Sequence, residues 1–281
     1  MGDMEIRLIA MDLDGTALQK DRCSFSPKLL DALSQAHRRG IMIVPVTGRQ
    51  FGLLPPVLQQ RHEWMNYAIL CNGGQIRKFT GELLYGLHLD SRALGQLLDV
   101  AAELDLPIEF SVDSRLYLTR DSYDKQLSCP ELTFHRDTIL AHHGEIVPTL
   151  APFCGKTIEK VNLLCISPEI RDVVAERLEK IAVSAVWASA TSMEITHPEA
   201  TKGKTLQILC DRLQIPMETV MALGDSGNDI TMLRQAGLGI AMGNAPDFVK
   251  VAADVCTDSY DQDGAANAIK QYALESVYFK L

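Results

Sequence analysis

The chain has 281 residues, is 47% hydrophobic and 22% charged, and carries a formal net charge of −9. That length suits one large domain or two modest ones, with enough apolar material for a real core. The acidic balance, without a basic run longer than two residues, excludes a nucleic-acid or anionic-membrane surface, and no stretch approaches the roughly 20 apolar residues needed to span a bilayer.

Met1-Gly2-Asp3-Met4-Glu5 lacks the basic region and apolar core of a signal peptide, so a cytoplasmic protein is expected. Ile6 to Met11 reads as a short strand buried on both faces, as in a parallel sheet. It runs into Asp12-Leu13-Asp14-Gly15-Thr16, where two carboxylates stand two residues apart at the strand end. In extended backbone they point the same way, which is costly unless a cation or a proton intervenes. Ser26-Pro27 starts a helix with a hydroxyl cap and a proline in its first turn; Leu29, Leu30, Leu33 and Ala36 form its apolar stripe, and Gly40 closes it. Ile41 to Val46 is the next strand, followed by Thr47-Gly48-Arg49. The resulting β-α-β unit predicts parallel strands with a right-handed crossover. Tyr67 to Cys71 is a third strand, ended by Asn72-Gly73-Gly74. Gln75 to Phe79 and Glu82 to Gly86 read as a hairpin around Thr80-Gly81.

Near Leu87 the texture changes. Ser91 to Glu103 is an amphipathic helix, and Ile108 to Val112 and Arg115 to Thr119 flank a tight turn at Asp113-Ser114. Residues 121–157 are mixed and Pro-punctuated and give no assignment. Val161 to Ile166 is a strand, Ser167-Pro168-Glu169 caps a helix to about Ile181, and Val183 to Ala188 and Met193 to Ile195 alternate like strands. This block, residues 87–193, is expected to be a second α+β domain inserted into the first, which takes residues 1–86 and 194–281. The doubly wound texture then returns: a helix over Thr201 to Leu213, a strand over Val220 to Leu223, then Gly224-Asp225-Ser226-Gly227-Asn228-Asp229. A helix from Ile230 to Ala236, a strand from Leu238 to Ala241, a helix from Pro246 to Ala252, a strand from Asp254 to Thr257 and a helix from Ala265 to Leu274 complete the chain. The seven cysteines are scattered, odd in number and without a Cys-x-x-Cys pair, so reduced thiols are expected rather than disulfides or zinc.

Four places stand out at strand ends or helix starts: Asp12 with Asp14, Thr47-Gly48, Thr201-Lys202-Gly203, and Gly224-Asp225 through Asn228-Asp229. If the strands are parallel, three of them gather along one sheet edge and Lys202 arrives from the helix beside it. The set combines carboxylates for a hard cation with a hydroxyl, an amide and an ammonium for an anion. Rival readings fare worse. Asp225 to Asp229 lacks the closing glutamate of a calcium loop. Lys202-Gly203-Lys204-Thr205 ends like a P-loop, but Pro198 stands where the first glycine belongs. Gly237-x-Gly239 is followed by Met242 at the third dinucleotide position. His142-His143 suit a solvated loop, His197 is a minor candidate for substrate contact, and Arg49 suits a substrate contact or a surface ion pair equally.

The order Asp-x-Asp-Gly-Thr, Thr-Gly-Arg, Lys-Gly, Gly-Asp-x-x-Asn-Asp resembles the haloacid dehalogenase (HAD) superfamily, and within it the Cof-type, class IIB phosphatases. The resemblance implies an α/β fold: a doubly wound, Rossmann-like parallel-sheet core with an inserted α+β cap of the C2B type that sets substrate specificity. It implies Asp12 as nucleophile and Asp14 as acid and base. Thr47, Gly48, Lys202 and Asn228 would hold the phosphoryl oxygens. Asp12, Asp225 and the main-chain carbonyl of Asp14 would bind Mg²⁺, with Asp229 supporting the metal's shell or Lys202. The expected activity is Mg²⁺-dependent hydrolysis of a small phosphorylated metabolite, a sugar phosphate or related compound, through an aspartyl-phosphate. A phosphosugar mutase and a non-catalytic phosphometabolite sensor are the alternatives. Arg115, Tyr117, Arg120, Tyr123 and His135 are unranked candidates for specificity in the cap.

Overall fold

The computed structural model describes residues 5–275 apart from 61, 114, 141 and 142, so Ser114, His142 and the first four residues lie outside the described residues. The chain forms two compact units. One takes the chain up to Arg49, Leu54–Tyr85 and everything from Thr201; the other takes Gln50–Leu53 and Gly86–Ala200. In chain order the elements begin with β1 (Leu8–Met11), α1 (Pro27–Arg38), β2 (Met42–Pro45), β3 (Tyr67–Leu70), β4 (Gln75–Lys78) and β5 (Leu83–Gly86). Then come α2 (Ser91–Glu103), β6 (Ile108–Val112), β7 (Arg115–Thr119), α3 (Arg120–Leu127), β8 (Gly144–Val147), β9 (Lys160–Leu163), α4 (Arg171–Glu179), β10 (Ser184–Ser189) and β11 (Ser192–Thr196). The last are α5 (Lys202–Leu213), β12 (Val220–Gly224), α6 (Ile230–Gln235), β13 (Leu238–Ala241), β14 (Val255–Cys256) and α7 (Gly264–Ala268).

The first unit is built on a five-stranded sheet in the order β14-β13-β12-β1-β2. Every pairing in it is parallel. All four residues of β1 are buried, as a strand covered on both faces requires. Leu8 and Ala10 pack with Leu206, Leu209 and Cys210 of α5, while α1 buries Leu29, Ala32, Leu33 and Ala36. Ser26 caps α1, its hydroxyl accepting from the Leu29 amide at 3.1 Å. The β3 segment runs beside β2 through two isolated parallel bridges, Ile43 to Met65 and Val46 to Ile69, and β3 also opens an antiparallel β3-β4-β5 ribbon. Register decides where the site lies. Met11 stands level with both Leu223 and Pro45, so Asp12, Asp225 and Thr47 emerge from one end of three adjacent strands.

The second unit carries a six-stranded sheet in the order β10-β11-β9-β6-β7-β8. It is antiparallel except for the β7–β8 pair. One face packs α2 and α4 through Leu94, Leu97, Val174 and Leu178 onto Phe110, Val161, Leu163 and Ile195. Its end at Ala200 lies past the expected 193, because β11 completes the antiparallel sheet and runs to Thr196. Its inclusion of Gln50–Leu53 was not expected. Strand β9 stops at Leu163 rather than Ile166, since Cys165 takes a left-handed φ of 53° that no strand continues through. The unassigned residues 121–157 hold α3, short helical turns over Pro130–Leu132, His135–Leu140 and Ala151–Gly155, and the exposed strand β8.

Candidate active site

The sheet edge delivers Asp12 one residue after β1, and Asp225 one residue after β12. Lys202 is the first residue of α5 and is buried. Its ammonium donates to Asp12 Oδ1 at 2.7 Å and to Asp229 Oδ1 at 2.6 Å. Asp229 uses its other oxygen on the amides of Asp225 and Ser226, both at 2.9 Å. With both oxygens engaged, Asp229 is a strut that sets Lys202 and the Asp225 turn. Ligand oxygens of Asp12, Asp225 and Asp229 all lie within 4.8 Å of one another.

Charge dominates this cluster. Burial, opposed by Lys202 and reinforced by Asp229 and Asp225, pushes Asp12 well above the usual carboxylate range. Burial and the neighbouring Asp229 push Asp225 up to about 6. Burial pulls Lys202 down, but the charges of Asp12 and Asp229 outweigh it and raise the ammonium overall. Converging buried carboxylates with hard oxygen donors are what Mg²⁺ or a similar hard cation takes, and added positive charge would relieve the crowding. The residues present therefore fit such an ion.

Gly15 turns the chain at a φ of 77°, and a Cβ there would lie 2.3 Å from Asp225 Oδ2, so only glycine admits this approach. Thr16 donates its hydroxyl to Asp225 Oδ1 at 3.1 Å. Asp14 does not join the carboxylate cluster. Arg49 holds both its oxygens, Nε to Oδ2 at 2.8 Å and Nη2 to Oδ1 at 2.7 Å, in a fork-to-fork pair. Of the two readings of Arg49, an ion pair is what the structure contains, and its partner is the expected acid. Thr47 is buried at the end of β2, where its hydroxyl accepts from the Arg49 amide at 3.2 Å. Gly48 lies between them.

Asn228 donates to Asn72 Oδ1 at 2.9 Å, and Asn72 is itself buried with a left-handed φ of 55°. The next residue, Gly73, would set a Cβ 2.3 Å from the Thr201 carbonyl, so its lack of a side chain lets the loop touch the start of α5. Sequence reasoning passed over Asn72 and also Asn244. Asn244 donates to the Gly15 carbonyl at 2.9 Å and to Asp225 Oδ2 at 3.2 Å. Its position just beyond β13, on the same sheet edge, was the available signal. His197 caps the Glu199 amide at 3.1 Å and is not part of the cluster, and Lys204 is exposed. All seven cysteines are free thiols.

A family model described as haloacid dehalogenase-like hydrolase matches residues 9–269. The chain is 29% identical to 5-amino-6-(5-phospho-D-ribitylamino)uracil phosphatase YcsE of Bacillus subtilis, over 97% of this chain and 98% of that protein. It is 28% identical to pyridoxal phosphate phosphatase YbhA of Escherichia coli, over 96% of this chain and all of that one (100%). Among solved structures, BT1666 of Bacteroides thetaiotaomicron, a phosphatase of the HAD superfamily, superposes with a TM-score of 0.79 at 25% identity, covering 97% of each chain.

Proposed function

The chain belongs to the haloacid dehalogenase-like hydrolase family and is a phosphoric monoester hydrolase; from that premise we propose that it releases inorganic phosphate from small phosphorylated metabolites with the help of Mg²⁺. The observation that carries the reading is the Lys202 ammonium bonded at once to Asp12 and Asp229, with Asp225 beside them at the sheet edge.

In this reading an oxygen of Asp12 attacks phosphorus and the bond to the ester oxygen breaks. Asp14 gives its proton to the departing alcohol. Water then attacks the aspartyl-phosphate and Asp14 takes a proton from it. The bond from phosphorus to Asp12 breaks, leaving free phosphate. Thr47, the Gly48 amide, Lys202 and Asn228 hold the phosphoryl oxygens while negative charge is redistributed among them. Asp12, Asp225 and the Asp14 main-chain carbonyl would hold Mg²⁺, whose charge, when bound, offsets the repulsion between carboxylate and phosphate. Asp229 positions Lys202. Arg49 parks Asp14 between turnovers. The second unit, residues 87–193 in the sequence reading, recognises the rest of the substrate. Similar proteins named for phosphates of pyridoxal and of ribitylaminouracil support a small phosphorylated metabolite as the substrate class.

The test is Asp12→Asn. The variant should stay folded and lose phosphate release from p-nitrophenyl phosphate to the blank rate at saturating Mg²⁺. Retained Mg²⁺-dependent turnover would overturn the reading.

A further inference from the structure

Both oxygens of Asp225 are held by neutral donors. The Thr16 hydroxyl donates to Oδ1 at 3.1 Å and the Asn244 amide donates to Oδ2 at 3.2 Å. The same Asn244 nitrogen donates to the Gly15 carbonyl at 2.9 Å, one peptide beyond the Asp14 carbonyl. With its two amide hydrogens, Asn244 straps the turn after β1 to the turn after β12. All of these groups belong to the first unit.

The strap is itself fixed. The Asn244 carbonyl accepts from the Tyr260 amide at 3.1 Å. Reversing the side chain would set an NH₂ against an N–H and a carbonyl against two acceptors, so its orientation is settled. The turn that presents it is pinned as well. The Gly243 amide donates to the Asp258 carbonyl at 3.1 Å, a Cβ on Gly243 would lie 2.7 Å from the Ser259 nitrogen, and Ala245 is buried. Yet Asn244 is exposed, and an exposed side chain adds little to a core. Its three hydrogen bonds, made at the lip of the carboxylate cluster, serve the geometry of that cluster.

Neutral donors suit this work. They orient the Asp225 carboxylate without cancelling its charge, which stays available to a cation. What they fix is the span between Asp225 and the Gly15 turn, whose preceding carbonyl belongs to Asp14. A fixed span matters to Mg²⁺, which demands near-ideal octahedral geometry with oxygens at about 2.0–2.1 Å. Ca²⁺ takes its oxygens at about 2.3–2.6 Å in a flexible shell and tolerates a looser frame.

We infer that Asn244 is a positioning residue of the metal site, and that its strap between Gly15 and Asp225 sets a preference for Mg²⁺ over the larger Ca²⁺. This rests on the Mg²⁺ reading above.

The experiment titrates the metal-free full-length protein with MgCl₂ and, separately, with CaCl₂ by isothermal calorimetry. It uses the wild type, Asn244→Ala and Asn244→Leu, the last of which keeps the bulk and lacks the donors. Wild type should bind Mg²⁺ the more tightly. Each variant should weaken Mg²⁺ about tenfold and Ca²⁺ less than about threefold. The metal-free Tm should move by less than about 2 °C, since the position is exposed. A merely structural role would weaken both cations alike or lower the metal-free Tm further, and either result would overturn the inference. So would an unchanged Mg²⁺ affinity, or a wild type without preference for Mg²⁺. A wild type that takes up no Mg²⁺ at all would instead remove the metal reading itself, and this inference with it.

Discussion

Lys202 answers two buried carboxylates with one ammonium, so losing it leaves both without their cation. Lys202→Met leaves Asp12 and Asp229 buried and unpaired, which should lower unfolding free energy by about 3–5 kcal/mol in metal-free urea titrations, beyond the loss of activity. Gly15→Ala attacks the same cluster sterically. Its Cβ would meet Asp225 Oδ2 at 2.3 Å on a φ of 77°, so phosphate release should fall about tenfold or more, read with p-nitrophenyl phosphate. At this scale the sequence was informative where chemistry is written in short motifs. Asp12, Asp225, Asp229 and Lys202 were legible as acids and an ammonium at strand ends and a helix start. The embrace of Asp14 by Arg49 was not, because a Thr-Gly-Arg turn carries no record of what the guanidinium reaches. Asn244 escaped notice because a lone amide in Gly243-Asn244-Ala245-Pro246 reads as turn chemistry.

The elements themselves divide by how their burial is patterned. β1, β2, β12 and β13 are continuous apolar runs, since helices cover both faces of a parallel sheet, and such runs are readable without a partner in view. α1 announces itself through Ser26 and Pro27. Ser26→Ala should cost about 1 kcal/mol in chemical denaturation through the lost bond to the Leu29 amide. Residues 121–157 are harder because their order is tertiary. β8 is mostly exposed and exists by pairing with β7, and the turns around it are single short coils. Gln50–Leu53 is the extreme case. Nothing in those four residues says which unit they join; the side-chain bond from Gln50 to Ser111 and the packing of Leu53 beside Leu116 and Leu118 reveal it.

Over the whole molecule, two cores in one chain mean that unfolding need not be a single transition. The second unit carries its own pH signature. Burial pushes the Glu109 carboxyl up, but His135, Asn162 and Gln126 hold it below its ordinary 4.5. Burial pulls His135 down, but Glu109 lifts it above 6.5, with Lys160 opposing and Glu194 assisting. The Glu109 contribution is present above 4.5 and fades as pH falls through its lowered value. The His135 contribution is present below 6.5 and fades as pH rises through its raised value. The pair thus stabilises most between those limits, and His135→Gln should flatten the dependence of Tm on pH above 6.5. The free thiols supply a further means of telling the two units apart. Cys71 and Cys210 are fully buried in the first unit, Cys129 lies with Leu132 and Leu164 in a small buried cluster of the second, and Cys256 is open to solvent. A buried sulfur reacts with an alkylating reagent only when its surroundings breathe. Mass spectrometry of timed alkylation would therefore run two clocks in one tube, one per unit, with Cys256 marking time zero.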